Sequence, residues 1–176
     1  MTSTTKKITF AGMSLALAFL LPYLIGQIPD IGRALSPMHI PVLICGFICG
    51  GPYGLIVGFI APLLSSIDGM PPIFPTGTAM AFELAAYGLA SGLLYKLLPK
   101  KTPYIYVSLV LSMLVGRVVW GIAMFVIALF AADIQFGLPA FLAGAFINAV
   151  PGIILHIVLI PVIIMALKKA RLMFNE

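Results

Sequence analysis

The sequence predicts an all-α integral membrane protein: one domain over residues 1–176, a compact bundle of six transmembrane helices with an outward-facing pocket and both termini cytoplasmic. Three observations lead there. The chain is 62% hydrophobic and 9% charged, with a mean hydropathy of +1.18, whereas soluble domains carry about 45–50% apolar and about 25% charged residues. Its apolar residues gather into blocks at about 8–28, 36–51, 53–66, 78–98, 104–132 and 138–167, separated by turn and breaker residues. The charges settle how many of these blocks cross. With six spans, Lys6, Lys7, Lys96, Lys100, Lys101, Lys168, Lys169 and Arg171 all face the cytoplasm and Arg33 alone faces out; fusing residues 36–66 into one span turns the last six of those outward, against the positive-inside rule. Hydrocarbon about 30 Å thick takes roughly 20 residues per helix, so no soluble domain fits beside the bundle.

Lys6 and Lys7 precede the first block. Ala16-Leu17-Ala18 resembles a signal-cleavage site, yet apolar sequence continues to Ile25, so a retained helix is expected. The second and third blocks meet at Gly51-Pro52, where proline, lacking an N–H, predicts a tight cytoplasmic turn between two helices too short for an upright crossing. Gly46, Gly50, Gly54 and Gly58 recur every fourth residue across that break and predict helices packed with their backbones close, since lipid supplies no hydrophobic drive for association. Cys45 and Cys49 share a helical face without a further thiol or histidine at zinc spacing, and read as small packing residues. The fourth block follows "IDGMPPIFPTG", the fifth "LLPKKTP" and the sixth "AADIQFGLP". Asp30, Asp68 and Asp133 then share the outer side. The outer loops "QIPDIGRALSP" and "IDGMPPIFPTG" are too apolar for ordinary soluble loops and are expected to fold over a pocket as a lid, with Phe74 as an apolar contact.

The polar residues inside the apolar blocks are few. A charge at the bilayer centre costs about 2.5–3.5 kcal/mol on insertion scales, so such residues face a bundle interior or a watered cavity. Glu83 lies about one turn below the outer end of the fourth block, Tyr87 shares its face, and Arg117 falls near the middle of the fifth with Trp120 on the same side. His39 begins the second block, and Asn148 lies roughly 15 Å below the outer start of the sixth at about 1.5 Å per residue. Convergence at one depth favours a ligand site, while a Glu83–Arg117 structural ion pair, a capping role for His39 and an interhelical bond from Asn148 remain open. His156, near the inner end of the sixth block, is read as structural.

Chemistry is otherwise sparse. There is no G-x-x-x-x-G-K-[ST], H-E-x-x-H or G-x-S-x-G, and the acidic residues are scattered, so neither nucleotide hydrolysis nor another enzymatic activity is expected, and no cofactor or metal. The net charge of +5 is explained by anchoring at anionic lipid without nucleic acid.

The stretch "MHIPVLICGFICGGPYGLIVGF", from Met38 to Phe59, is similar to the Met-His-Ile-Pro-Val segment and Gly-Pro-x-Tyr-Gly turn of S components of energy-coupling factor (ECF) vitamin transporters, those of the pantothenate type most of all. The resemblance implies a bacterial or archaeal multi-pass cell-membrane protein that captures a small water-soluble vitamin. It also implies partners, a transmembrane coupling subunit (T component) and two cytoplasmic ATPases. The family's Ala-x-x-x-Ala docking pair on the first helix is replaced here by Gly12 with Ala16, or Ser14 with Ala18, on two different faces. The competing readings are an S component for riboflavin, thiamin, pyridoxine or a queuosine precursor, an autonomous secondary carrier or channel, and a membrane-embedded enzyme. The carrier lacks its usual mark, a second interrupted helix matching the Gly-Pro break.

Overall fold

A computed structural model describes residues 3–25, 35–67, 69, 71–131 and 134–175. Asp30, Arg33, Asp68, Asp133 and most of the first proline-rich loop lie outside the described residues, so the expectations attached to them are not addressed. Among the described residues the architecture is helical: α1 (Ser3–Ile25), α2 (His39–Cys49), α3 (Gly51–Ile67), α4 (Thr78–Leu97), α5 (Thr102–Phe130), the short α6 (Leu138–Leu142) and α7 (Val150–Lys169). Ser3–Leu24, Thr102–Phe130 and Val150–Lys169 are long and apolar enough to cross a membrane, while His39–Cys49, Gly51–Ile67 and Leu138–Ile147 are shorter apolar helices. The outward surface agrees with a lipid solvent: on α5, Leu111, Leu114, Val115, Val118, Ile122 and Phe125 are all exposed. Water would leave such a stripe uncompensated.

The central helix is α4, which packs against α2, α3 and α5, with its most extensive contact to α3. Glycine explains the closeness. A Cβ on Gly88 of α4 would lie 2.1 Å from the carbonyl oxygen of Gly54 on α3, and one on Gly54 would lie 2.4 Å from the carbonyl oxygen of Gly88. Two backbones in direct contact leave no room for either side chain. The four-residue glycine period therefore does bring backbones together, but its main partner is α4 and not only the neighbouring half of the α2–α3 pair. One glycine of the series does something else. Gly50 adopts φ +100°, a left-handed conformation natural to glycine, and reverses the chain between α2 and α3. The expected turn at Gly51-Pro52 is thus displaced by a residue: Gly51 begins α3 and Pro52 occupies its first turn, where a missing N–H costs nothing.

The end of the bundle near Gly50 is closed by the chain's last described residues. Phe174 N donates to Ile48 O at 2.9 Å, the Phe174 ring meets Phe10 edge-on at 5.3 Å, and Asn175 Nδ2 donates to Gly92 O at 2.9 Å. Above it lies the apolar core, formed by Val42, Leu43, Phe47, Leu84, Leu109, Ile160 and Ile164. The buried residues His39, Glu83 and His156 collect at the opposite end, around the first turn of α2.

The sixth apolar block differs most from expectation. Residues 138–167 do not form one rod: α6 passes into a wide helical turn at Ala143–Ile147, Asn148 and Ala149 make a bend, and α7 starts at Val150. Gly144 sits under the ring of Trp120, where a Cβ would approach to 2.8 Å.

Candidate functional site

Glu83 is the centre of the site. It lies in the second turn of α4, 2% exposed, and its Oε1 accepts from Arg117 Nη1 of α5 at 2.8 Å and from the Tyr87 hydroxyl at 3.1 Å. His39 Nε2, from the first residue of α2, stands 3.7 Å from the same oxygen. Each residue is there for a local reason. Tyr87 follows Glu83 by four positions, so both share one face of α4. Its ring is pressed against Gly116 of α5, where a Cβ would lie 2.5 Å away, and that close approach brings the next residue, Arg117, up to α4. His39 is placed by the first turn of α2, with its amide bonded to Ser36 O at 3.1 Å, and its ring meets Tyr87 edge-on at 5.3 Å.

A carboxylate removed from water loses several kcal/mol of solvation, which only a close cation and further hydrogen bonds offset. Glu83 has both. The surrounding groups are less completely matched: His39 Nδ1 and Nε2, Arg117 Nε and His156 Nε2 are buried without a hydrogen-bond partner. Leaving a buried polar group unpaired costs about 1–3 kcal/mol, so these nitrogens carry unmet hydrogen-bonding capacity.

His39, Glu83, Tyr87 and Arg117 are therefore brought together. Trp120 joins a neighbouring aromatic group, edge-on to Phe136 at 5.6 Å and stacked on Phe141 at 6.3 Å. Asn148 is exposed in the bend before α7. Phe74, 55% exposed, lies in the Ile73–Gly77 segment that leads into α4, where its extended backbone (φ −129°, ψ 134°) interrupts the helix. A surface cavity of about 560 Å³ between the end of α5 and α6 is lined by Phe125, Gln135, Phe136 and Pro139, among others. Gln135 and Phe136 fall in a connection without periodicity, which gives no sequence signal for their place beside this cavity.

One expectation is overturned. His156 is not remote from the others: its ring stacks on His39 with centroids 5.9 Å apart and planes 22° from parallel. The break at Asn148 and Ala149 explains it, because His156 then lies only six residues from the start of α7, at the Glu83 end of the bundle.

On α1, Ser14 and Ala18 are buried, while Gly12 and Ala16 are exposed and nothing stands within 4 Å of a Cβ on Gly12. The Gly12 face opens on a shallow apolar groove of about 270 Å³ shared with Tyr53, Ile56 and Ile60 of α3. Cys45 and Cys49 are free and buried, and Cys49 Sγ lies 3.5 Å from Lys7 O. Among the described residues no group of three His, Cys, Asp or Glu side chains is placed to hold a metal ion.

A family model described as "ECF transporter, substrate-specific component" matches residues 6–164, a span that contains every residue of the Glu83 centre and His156. No curated protein and no solved structure matches the chain.

Proposed function

We infer, for a chain that belongs to the ECF transporter substrate-specific component family, that the Glu83–Arg117 centre is its substrate site and that the substrate is a carboxylate vitamin, best fitted by pantothenate. Members of the family are substrate-binding transport subunits, not enzymes, and work with T and ATPase modules. In the proposed arrangement the chain crosses a bacterial or archaeal cell membrane six times with both termini in the cytoplasm. It captures its ligand from outside and is joined by one coupling subunit and two ATPases.

The observation that carries the substrate reading is the division of the Arg117 guanidinium. Nη1 is committed to Glu83 at 2.8 Å, while Nε is buried without a partner. The Nε edge of an arginine is a planar pair of donors that matches a carboxylate bidentately. Glu83 therefore holds the side chain by one corner and leaves its other edge for the ligand. His39, with both ring nitrogens unpaired, bonds a hydroxyl or amide of the ligand, Tyr87 and Trp120 flank its apolar part, and Asn148 supplies a further polar contact. The segment around Phe74 closes over it.

Mass spectrometry of the small molecule retained on purification, followed by calorimetric titration with pantothenate, riboflavin, thiamin and pyridoxine, tests the proposal. Pantothenate is expected to bind and its neutral alcohol analogue to bind much more weakly. Tight binding of a neutral vitamin, insensitive to Arg117, overturns the carboxylate reading.

A further inference from the structure

We propose that His156 of α7 is a substrate-contacting, specificity-determining residue, which presents an acceptor nitrogen to a hydrogen-bond donor on the ligand beside the group held by Arg117. The inference rests on the Glu83–Arg117 centre being the substrate site, and it adds a neutral acceptor beside a charged one. Glu83 Oε1 already receives Arg117 and Tyr87, and Arg117 can only donate. A ligand hydroxyl or amide N–H entering beside its own carboxylate is better met by a neutral acceptor than by the Glu83 anion.

His156 provides one. The imidazole is 2% exposed, and its Nε2 is buried with no partner. In the proposed arrangement Nδ1 donates to the Ser36 carbonyl, and in that neutral tautomer Nε2 carries a lone pair and no hydrogen. Ser36 O accepts the His39 amide at 3.1 Å. The two histidine rings stack at 5.9 Å, and His39 in turn reaches Glu83 Oε1 at 3.7 Å. Through His39, an acceptor at His156 adjoins the Glu83–Arg117 pair. The ligand class that satisfies both is a carboxylate carrying a nearby hydroxyl or amide N–H. A simple monocarboxylate would leave Nε2 unpaired.

Three variants separate ligand contact from scaffolding. His156→Phe keeps an aromatic ring and removes both nitrogens. His156→Asn keeps a group near the Nδ1 position, able to serve Ser36, and loses the distal acceptor, whereas His156→Gln places an amide oxygen near the Nε2 position. Pantothenate is titrated into wild type and each variant, with melting curves of the ligand-free proteins alongside. Affinity is expected to fall about tenfold or more in His156→Phe and His156→Asn, as for a buried acceptor lost from a hydrogen bond, and to recover largely in His156→Gln. Unchanged affinity in His156→Phe means that Nε2 meets only water and overturns the proposal. Recovery in His156→Asn but not His156→Gln, or equal loss in all three with lowered melting temperatures, assigns His156 to holding Ser36 and also overturns it. Failure of wild type to bind pantothenate counts against the pantothenate reading alone. Nitrogen-15 NMR of labelled histidine in the ligand-free protein then decides His156 by itself: an unprotonated Nε2 is expected, and a protonated Nε2 refutes the acceptor role.

Discussion

Replacing Arg117 with Met removes the cation from a carboxylate that has almost no access to solvent. Arg117 Nη1 stands 2.8 Å from Glu83 Oε1, with the two side chains 12% and 2% exposed, so among the described residues the variant leaves Glu83 Oε1 with the Tyr87 hydroxyl at 3.1 Å. Breaking a buried pair by deleting one partner costs about 3–5 kcal/mol, because the remaining charge is stranded. The same substitution removes the donor edge proposed to hold the ligand carboxylate. The predicted loss of affinity is roughly 30-fold or more, near 2 kcal/mol at about 1.4 kcal/mol per tenfold. Stability and affinity are separated by adding Glu83→Gln, which removes the stranded charge and retains a carbonyl oxygen for Tyr87. Melting curves should show Arg117→Met strongly destabilised and the double variant largely restored. Calorimetric titration with pantothenate should show both still weak. If the double variant regains near-normal affinity together with its stability, Arg117 is a structural partner of Glu83 and does not touch the ligand.

Gly88→Ala should lower the melting temperature, since its methyl group would sit 2.1 Å from the Gly54 carbonyl oxygen and force α3 and α4 apart, at a cost of about 1–3 kcal/mol or more; an unshifted melting curve would show that the two backbones are not in contact. Ala16→Trp, on the exposed face of α1, should block assembly with a coupling subunit in co-purification while leaving ligand binding intact, whereas Ala18→Trp should fail through misfolding because Ala18 is fully buried. Assembly unaffected by Ala16→Trp removes that face of α1 as the docking surface. Ligand binding should protect the segment at residues 71–77 from protease and from labelling of a cysteine placed at the exposed position of Phe74; equal accessibility with and without ligand argues against a lid.

The residues show clearly how much a linear pattern can carry. Membrane character and helical class follow from composition, because no arrangement of a chain that is 62% hydrophobic hides its apolar surface from water. Glu83 and Arg117 stand out in the sequence because charge in an apolar block is costly wherever the block is placed, and two opposite charges have one inexpensive solution. The Glu83–Tyr87 contact is equally legible, as a consequence of helical period within one element.

What the sequence leaves undecided concerns relations between elements. Gly12 with Ala16 and Ser14 with Ala18 satisfy the same small-x-x-x-small pattern, and only the packing of α1 shows that Ser14 and Ala18 are spent inside the bundle. The glycine series announces close contact but not with what; the partner, Gly88 on α4, lies 34 positions along the chain from Gly54. Trp120 shares a helical face with Arg117, yet it packs with Phe136 and Phe141 because α6 folds back over it. His156 is the sharpest case. Residues 138–167 carry no charge before Lys168, so their hydropathy reads as one span despite the helix-start signal of Asn148 and Pro151, and depth counted along a single rod places His156 at the wrong end. The bend at Asn148 and Ala149 falls just before Pro151 in the first turn of α7, where the missing N–H and the ring favour the start of a new helix, a local signal that hydropathy does not register. Local pattern sets which face a residue occupies; the level at which a helix begins, and therefore which faces meet, is settled by the neighbours against which it packs.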